Sequence, residues 1–338
     1  MPSSSVAFHL TERCGLRCVH CLRDPSADEA DLPVEVVERV LEEASRVYGI
    51  TQVALTGGEP TIHPALDRVV AAVIRRGIQF HVVTSGVGFE RLLAIVDRDP
   101  AARSALSRVN VSVDGATEAT HDAIRGEGTW RRALAAVAAC TARELPLAIQ
   151  LTVNALNVAE LEAAALAAAQ LGADRFLVGM TQATGTPADA RLALPAAEWT
   201  RVRERIERLA GVLRIPVIAN EGFPRAQPFH TCAPFAGEIL HVDPRGRLSL
   251  CCQHSGVPGD QGELAIPLDG ATLAAAHGRL LEIAHRYQRE RLAAMDAGSL
   301  GPWDLFSCNA CLGRFGKPRW GDEGAAGPRA RRDPRGEG

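Results

Sequence analysis

Strand-like and helix-like segments alternate without a break from residue 6 to residue 180, and that order restricts the chain to few folds. VAFHL at 6–10 is a short apolar run. Residues 33–48, PVEVVERVLEEASRVY, then repeat apolar positions at helical spacing behind Pro33. QVALTGGEP reads as a buried strand ending in a glycine turn, followed by a helix at 65–76, the strand IQFHVVTSG and a helix near 89–97. RVNVSVDG, a helix over 128–143, LAIQLTVN, a helix at 158–171 and RFLVGM complete the series. Six β-then-α units, each of roughly 25–40 residues, predict parallel strands joined by crossover helices.

In such sheets the functional groups collect on the loops that follow the strands' C-terminal ends. Here those loops carry TERCGLRCVHCLRD after the first strand, GGEP after the second, TSG after the third, SVDG after the fourth and TVN after the fifth. All five are expected to converge on one mouth.

The first loop holds Cys14, Cys18 and Cys21 within eight positions. The N-terminus MPSSSVAFHL has neither a basic start nor the apolar run of a signal peptide, and no stretch approaches the roughly 18 uninterrupted apolar residues of a membrane span. The expected compartment is the cytoplasm, where thiols stay reduced and clustered cysteines bind metal or do chemistry. A formal charge of −3 and the absence of a basic stripe ahead of the tail speak against a nucleic-acid partner. Three thiolates spaced CxxxCxxC can hold three irons of a 4Fe–4S cubane and leave the fourth open. The competing arrangement is a zinc knuckle that takes His20 as its fourth ligand.

CxxxCxxC behind a first strand resembles the signature of the radical S-adenosylmethionine (SAM) superfamily, and the resemblance extends over about residues 5–320. It implies a partial (β/α)6 barrel, a 4Fe–4S cluster on Cys14, Cys18 and Cys21, SAM as second cofactor and an electron donor such as flavodoxin or ferredoxin. Gly57, Gly58, Glu59 and Pro60 look like the segment that receives the methionine amino group, glycines there suiting a close backbone approach. VNVSVDGATEATHDAIRG looks like the family's fourth strand and following loop, making Ser112 and Arg125 candidates for contacts to the methionyl part. Asn154, at the end of LTVN, resembles a ribose contact. In the family, reductive cleavage of SAM gives a 5′-deoxyadenosyl radical that abstracts hydrogen from an unactivated C–H bond.

The pattern changes after about residue 220. EILHVDPRGRLSLCC reads as a β-hairpin with PRG as its turn, a long helix spans roughly 271–296, and a loop carries CNAC. Residues 321–338, rich in Gly, Pro and Arg, read as a disordered tail. The expected organisation is therefore a barrel over 1–220, a small α+β domain over 221–320 and the tail. Cys232, Cys251, Cys308 and Cys311 resemble the twitch type of C-terminal extension, which implies a second, auxiliary 4Fe–4S cluster; a structural zinc site on the same four is the alternative. Cys140, within an Ala/Leu-rich helix, reads as a small buried hydrophobe.

Neighbours on a strand point to opposite faces, so if Cys251 ligates, Cys252 points elsewhere, across the barrel mouth. Such a thiol could return a hydrogen atom to a substrate radical, as in radical SAM epimerases that act on aminoglycoside sugars. The expected reaction is accordingly epimerisation of a sugar-containing small molecule with Cys252 as catalytic donor. Oxidation of a sugar or cyclitol alcohol is the alternative. Peptide modification ranks below both, because only 13 residues precede Cys14, too few for a leader-binding domain. A zinc-stabilised binding protein is the competing non-enzyme. Asp24, His63, Glu221, His230, Glu238 and His254 are candidate substrate contacts, each read first as an ordinary loop residue, while His9 packs on the first strand.

Overall fold

The computed structural model describes residues 5–23, 29–183, 190–225, 232–254 and 262–321. The tail from residue 322, Asp24 and His230 lie outside the described residues. The alternation is realised as β1 (Ser5–His9), α1 (Val34–Tyr48), β2 (Gln52–Thr56), α2 (Leu66–Ile74), β3 (Gln79–Thr84), α3 (Phe89–Arg98), α4 (Pro100–Ala105), β4 (Leu106–Ser112), α5 (Glu118–Arg125), α6 (Thr129–Ala142), β5 (Leu147–Val153), α7 (Leu161–Gln170), β6 (Arg175–Met180), α8 (Ala196–Val212) and β7 (Val217–Ala219). Strands β1 to β7 pair in sequence order, each parallel to the next, and the helices cover the outer face. The sheet has two free edges and does not close on itself, so the architecture is the expected partial barrel.

Strand alternation sorts the side chains by size. On β1, Val6 and Phe8 are fully buried against the helix layer, while Ala7 and His9 line the interior. On β5, Ile149, Leu151 and Val153 pack outward and Gln150 and Thr152 inward. α1 answers with Val34, Val37, Val40, Leu41 and Ala44 at helical spacing, and stops where Gly49 adopts φ 63° and donates its N–H to Ser45 O. The outward layer is thus the core, and the small, polar inward layer leaves room for a site.

Two local readings change. The loop expected after SVDG is the helix α5, started by Thr117, whose hydroxyl accepts from Thr120 N–H, and ended at Gly126 with φ 110°. Pro100 opens a separate helix, α4, behind the cap Asp99.

The hairpin expected after residue 220 forms as β8 (Ile239–Val242) and β9 (Arg247–Ser249) around a turn at Pro244–Gly246, with β10 (Ala265–Pro267) added antiparallel. Asp243 Oδ1 accepts the N–H groups of Arg245 and Arg247, both at 3.0 Å, and Gly246 takes φ 72°. Strand β8 also pairs in parallel with β1, Ala7 opposite His241, so the hairpin extends the barrel sheet on the side away from β7. The helix α9 (Leu273–Asp296) follows, and the CNAC segment lies on a helix, α10 (Ser307–Arg314), where a loop was expected.

Candidate active site

At the C-terminal ends of the strands lies a cavity of 480 Å³, a volume suited to a cofactor together with part of a substrate. Cys14, Cys18, Cys21, Gly57, Gly58, Ser112 and Arg125 all line it, as does Cys252 from the C-terminal region. Burial pushes the Cys18 thiol up to about 12, against the pull of Arg125, so it stays protonated at neutral pH unless a metal displaces the proton. Three thiols on one wall beside a ligand-sized space form a donor set suited to an iron–sulfur cluster with an open position.

His20 lines the same cavity, but its ring is turned to Asp114: its Nε2 lies 3.3 Å from Asp114 Oδ2, and burial lowers its pKa to about 4. Among the described residues no three His, Cys, Asp or Glu side chains are grouped to hold a single metal ion, as the zinc knuckle would need.

The GGEP turn acts on the cysteine loop. Gly58 N–H donates to Thr11 O at 2.7 Å and Glu59 N–H to Arg13 O at 2.8 Å. A Cβ on Gly57 would stand 2.7 Å from Thr11 O, and one on Gly58 2.2 Å from Arg13 O. These glycines therefore let the end of β2 lie directly on the cysteine loop, and both also line the cavity. Glu59 is 1% exposed, and its carboxylate accepts from Thr61 Oγ1, Thr84 Oγ1, Ser85 N–H and Ser85 Oγ. It braces the ends of β2 and β3 and is not among the residues that line the cavity.

Asn154 is also fully buried away from the cavity. Its Oδ1 accepts Leu156 N–H at 2.9 Å, its Nδ2 donates to Thr152 O, and Asn157 Oδ1 accepts its own N–H. It shapes the turn between β5 and α7. Of the described loop candidates, His63 bonds Leu32 O, Glu221 pairs with Arg225, and neither these nor Glu238 nor His254 lines the cavity.

Asp114, at the end of β4, went unnoticed in the sequence and is the hub of the site. Its Oδ2 receives Arg125 Nε at 2.5 Å and its Oδ1 Thr152 N–H at 2.7 Å. Burial alone would raise its pKa, but Arg125, His20 and the Thr152 N–H together hold it below the usual carboxylate range. His9, Gln150, Thr152, Gln182, Asn220 and His241 supply the polar interior wall. The signal for His9, Gln150 and Thr152 was present: each falls at the alternate, inward position of an otherwise apolar strand.

The second set of cysteines adjoins this cavity, with Cys252 in its lining. Cys251 and Cys252 do not occupy opposite faces of a strand, because β9 ends at Ser249 and Cys252 opens a 3₁₀ turn. Their side chains hydrogen-bond each other, which raises the Cys251 pKa and lowers that of Cys252. The pKa of Cys308 is raised first by burial and then by the charges of Cys232, Cys311 and Cys252. His254 Nε2 lies 3.7 Å from Cys311 Sγ. Trp320 ties the region to the barrel: its Nε1–H donates to Thr181 O at 2.8 Å and its N–H to Asn309 Oδ1 at 2.7 Å, Asn309 lying between Cys308 and Cys311. No helix among the described residues is long and apolar enough to cross a membrane.

Residues 8–167 match the model of the radical SAM superfamily. The chain is 30% identical over 259 residues to the PqqA peptide cyclase of Methylorubrum populi, covering 74% of this chain and 66% of that protein. It is 32% identical over 258 residues to the PqqA peptide cyclase of Streptomyces rochei, covering 73% and 69%. It thus spans about two thirds of the length of these relatives. Among solved structures, Streptococcus suis SuiB bound to precursor peptide SuiA superposes with a TM-score of 0.63 at 13% identity, over 82% of this chain and 66% of that one. Native anSMEcpe with bound AdoMet and Cp18Cys peptide gives 0.67 at 13%, over 91% and 88%. The relatives overturn the expected epimerisation of an aminoglycoside-like sugar, since they are named for a peptide reaction. That expectation rested on Cys252 standing apart from Cys251, and the two thiols are bonded neighbours. The chain belongs to the radical SAM superfamily, an enzyme family whose cofactors are a 4Fe–4S cluster and SAM.

Proposed function

We propose that this enzyme modifies a peptide, joining two positions of a ribosomally made precursor by a new covalent bond. The observation that carries this reading is the 30–32% identity to PqqA peptide cyclases over about three quarters of the chain, longer than the superfamily segment 8–167.

When bound, the cluster and SAM supply a 5′-deoxyadenosyl radical that removes a hydrogen atom from a C–H bond. Cys14, Cys18 and Cys21 hold the cluster, on a loop fixed from below by the N–H groups of Gly58 and Glu59. Ser112 and Arg125 line the cavity and would orient the methionyl part of SAM. Gln150, Thr152, Gln182 and Asn220 offer amide and hydroxyl groups that suit the N–H and C=O groups of a peptide. The buried Gln182 Oε1 has no hydrogen-bond partner among the described residues, which leaves an acceptor for a ligand N–H. Cys232, Cys251, Cys308 and Cys311, with Cys252 beside them, hold a second cluster in a twitch-like region over 221–320. The triple variant C14A/C18A/C21A should therefore retain iron and acid-labile sulfide, and loss of both would remove the second cluster from this reading.

The test is anaerobic incubation of the reconstituted enzyme with SAM, a reductant and short peptides encoded beside its gene. The expected product is lighter by two hydrogen atoms, one carried off in 5′-deoxyadenosine and the other released as a proton with its electron passed to the second cluster, and its fragment series has a gap between the joined residues. 5′-Deoxyadenosine should form in step with the peptide. Its formation at a rate that no peptide changes would overturn the proposal.

A further inference from the structure

Arg125 has a second neighbour besides Asp114. Its Nη1 lies 4.0 Å from Cys18 Sγ, within hydrogen-bonding range for sulfur, while its Nε is held by Asp114 at 2.5 Å. The arrangement is fixed from several sides. Asp114 is fully buried and anchored by Thr152 N–H on its carboxylate and by Asn157 Nδ2 on its carbonyl. Val19 N–H, next to Cys18, donates to Ile124 O, next to Arg125, at 2.9 Å. The cysteine loop and the end of α5 are therefore stitched together at the residues that flank the contact. The Arg125 side chain is only 11% exposed, so water screens it little.

An arginine buried to this extent needs a counter-ion, and Asp114 supplies it. One Asp114 oxygen takes Nε, which leaves the far side of the guanidinium fork pointing at a thiol that becomes a thiolate on cluster binding. Hydrogen bonds and positive charge at a ligating sulfur favour the reduced form of an iron–sulfur cluster. We propose that Arg125, oriented by Asp114, donates an N–H to the Cys18 sulfur and thereby raises the reduction potential of the SAM-binding cluster. This assigns to Arg125 a task separate from any contact with SAM. It rests on the cluster held by Cys14, Cys18 and Cys21 and is independent of the peptide substrate.

The experiment is a potentiometric EPR titration of the full-length reconstituted protein without SAM, comparing wild type, Arg125→Gln and Arg125→Lys. The SAM-binding cluster is recognised as the signal that changes when SAM is added afterwards. Arg125→Gln should move its midpoint to a more negative potential, and Arg125→Lys should move it in the same direction by less. An unchanged midpoint in Arg125→Gln would overturn the proposal. Wild-type protein carrying ¹⁵N-arginine serves as a second measurement that does not depend on the glutamine variant folding. Pulsed EPR of the reduced cluster should show a ¹⁵N coupling that Arg125→Lys removes. No coupling in the wild type, or the same coupling in the lysine variant, would equally overturn it. Absence of any cluster signal in the wild type would instead count against the ligand assignment of the three cysteines.

Discussion

The Glu59 carboxylate crosses from the end of β2 to Ser85 beyond β3, where its Oε2 accepts both the Ser85 N–H at 2.7 Å and the Ser85 hydroxyl at 2.6 Å. The other oxygen takes Thr84 Oγ1 at 2.9 Å and Thr61 Oγ1 at 2.7 Å. A carboxylate with almost no solvent contact is tolerable because the N–H groups of Thr61 and Ser85 and the hydroxyls of Thr84 and Ser85 donate to it, while the single Thr61 hydroxyl proton is shared between Glu59 Oε1 and Val87 O. The consequence is mechanical: two adjacent strand ends are joined beside the loop that carries the cysteines.

Glu59→Gln replaces one acceptor oxygen by an NH₂ group, so a donor then faces either Ser85 or the threonine hydroxyls. Hydrogen bonds to a charged group contribute about 1.5–3 kcal/mol each, and they are not additive within one network. The expected loss is on the order of 2 kcal/mol for Glu59→Gln and more for Glu59→Ala, read as a lower urea midpoint at unchanged m-value. A variant as stable as wild type would show that the brace carries no load.

Gly58→Ala tests the contact between β2 and the cysteine loop. The added methyl would meet the Arg13 carbonyl at 2.2 Å, which is backbone and must shift as a unit. We expect destabilisation of about 1–3 kcal/mol and a lower yield of bound iron after reconstitution, because the displaced loop carries the proposed ligands. Gly270→Ala, where nothing lies within 4 Å, is the control and should behave as wild type in both measurements. Equal iron content in the two variants would show that the loop adapts.

Much of this was legible in the sequence, for identifiable reasons. A parallel strand buried on both faces reads as an apolar run, and a helix behind it as a 3.6-residue stripe, so the order of elements could be read directly. The cysteine loop was legible because its spacing is local. The roles of Glu59 and Asn154 were not, since what each carboxylate or amide bonds to depends on which loops the strands bring beside it. Asp114 was hidden for the same reason: its partners Arg125, His20 and Thr152 are dispersed in the chain and meet only when β4, α5 and β5 are assembled. The pairing of β8 with β1 joins residues more than two hundred positions apart and has no local signature. The face of Cys252 was misread because strand alternation was extended three residues past Ser249, where β9 ends.

Buried imidazoles make stability depend on pH. Burial lowers the pKa of His121 to about 4 and that of His241 to about 3, from 6.5. Both are neutral in the folded protein near neutral pH. The unfolded chain binds protons as the pH falls below about 6.5, whereas the folded chain does not until about 4 or lower. Stability is therefore full above pH 6.5 and declines on acidification through the window below it, by up to one proton per imidazole. Urea midpoints should fall between pH 7.5 and pH 5. In His121→Gln, which removes one of these groups, the fall should be shallower; the same slope as wild type would assign the dependence elsewhere.

Trp320 provides the sharpest test of how the second cysteine set is held to the barrel. Its ring is 2% exposed, its indole N–H reaches Thr181 O beyond β6, and its backbone exchanges two hydrogen bonds with Asn309 on α10. Trp320→Phe keeps most of the packing and loses the indole bond, leaving the Thr181 carbonyl without that donor. The expected cost is about 1 kcal/mol. Trp320→Ala removes the ring as well and should cost about 3–5 kcal/mol. Because Asn309 lies between Cys308 and Cys311, the alanine variant should also bind less iron, while iron at the proposed site of Cys14, Cys18 and Cys21 should be retained. The SAM-responsive EPR signal separates the two sets: it should persist in Trp320→Ala as total iron falls. Loss of that signal in step with total iron would mean that the two regions fold as one cooperative unit.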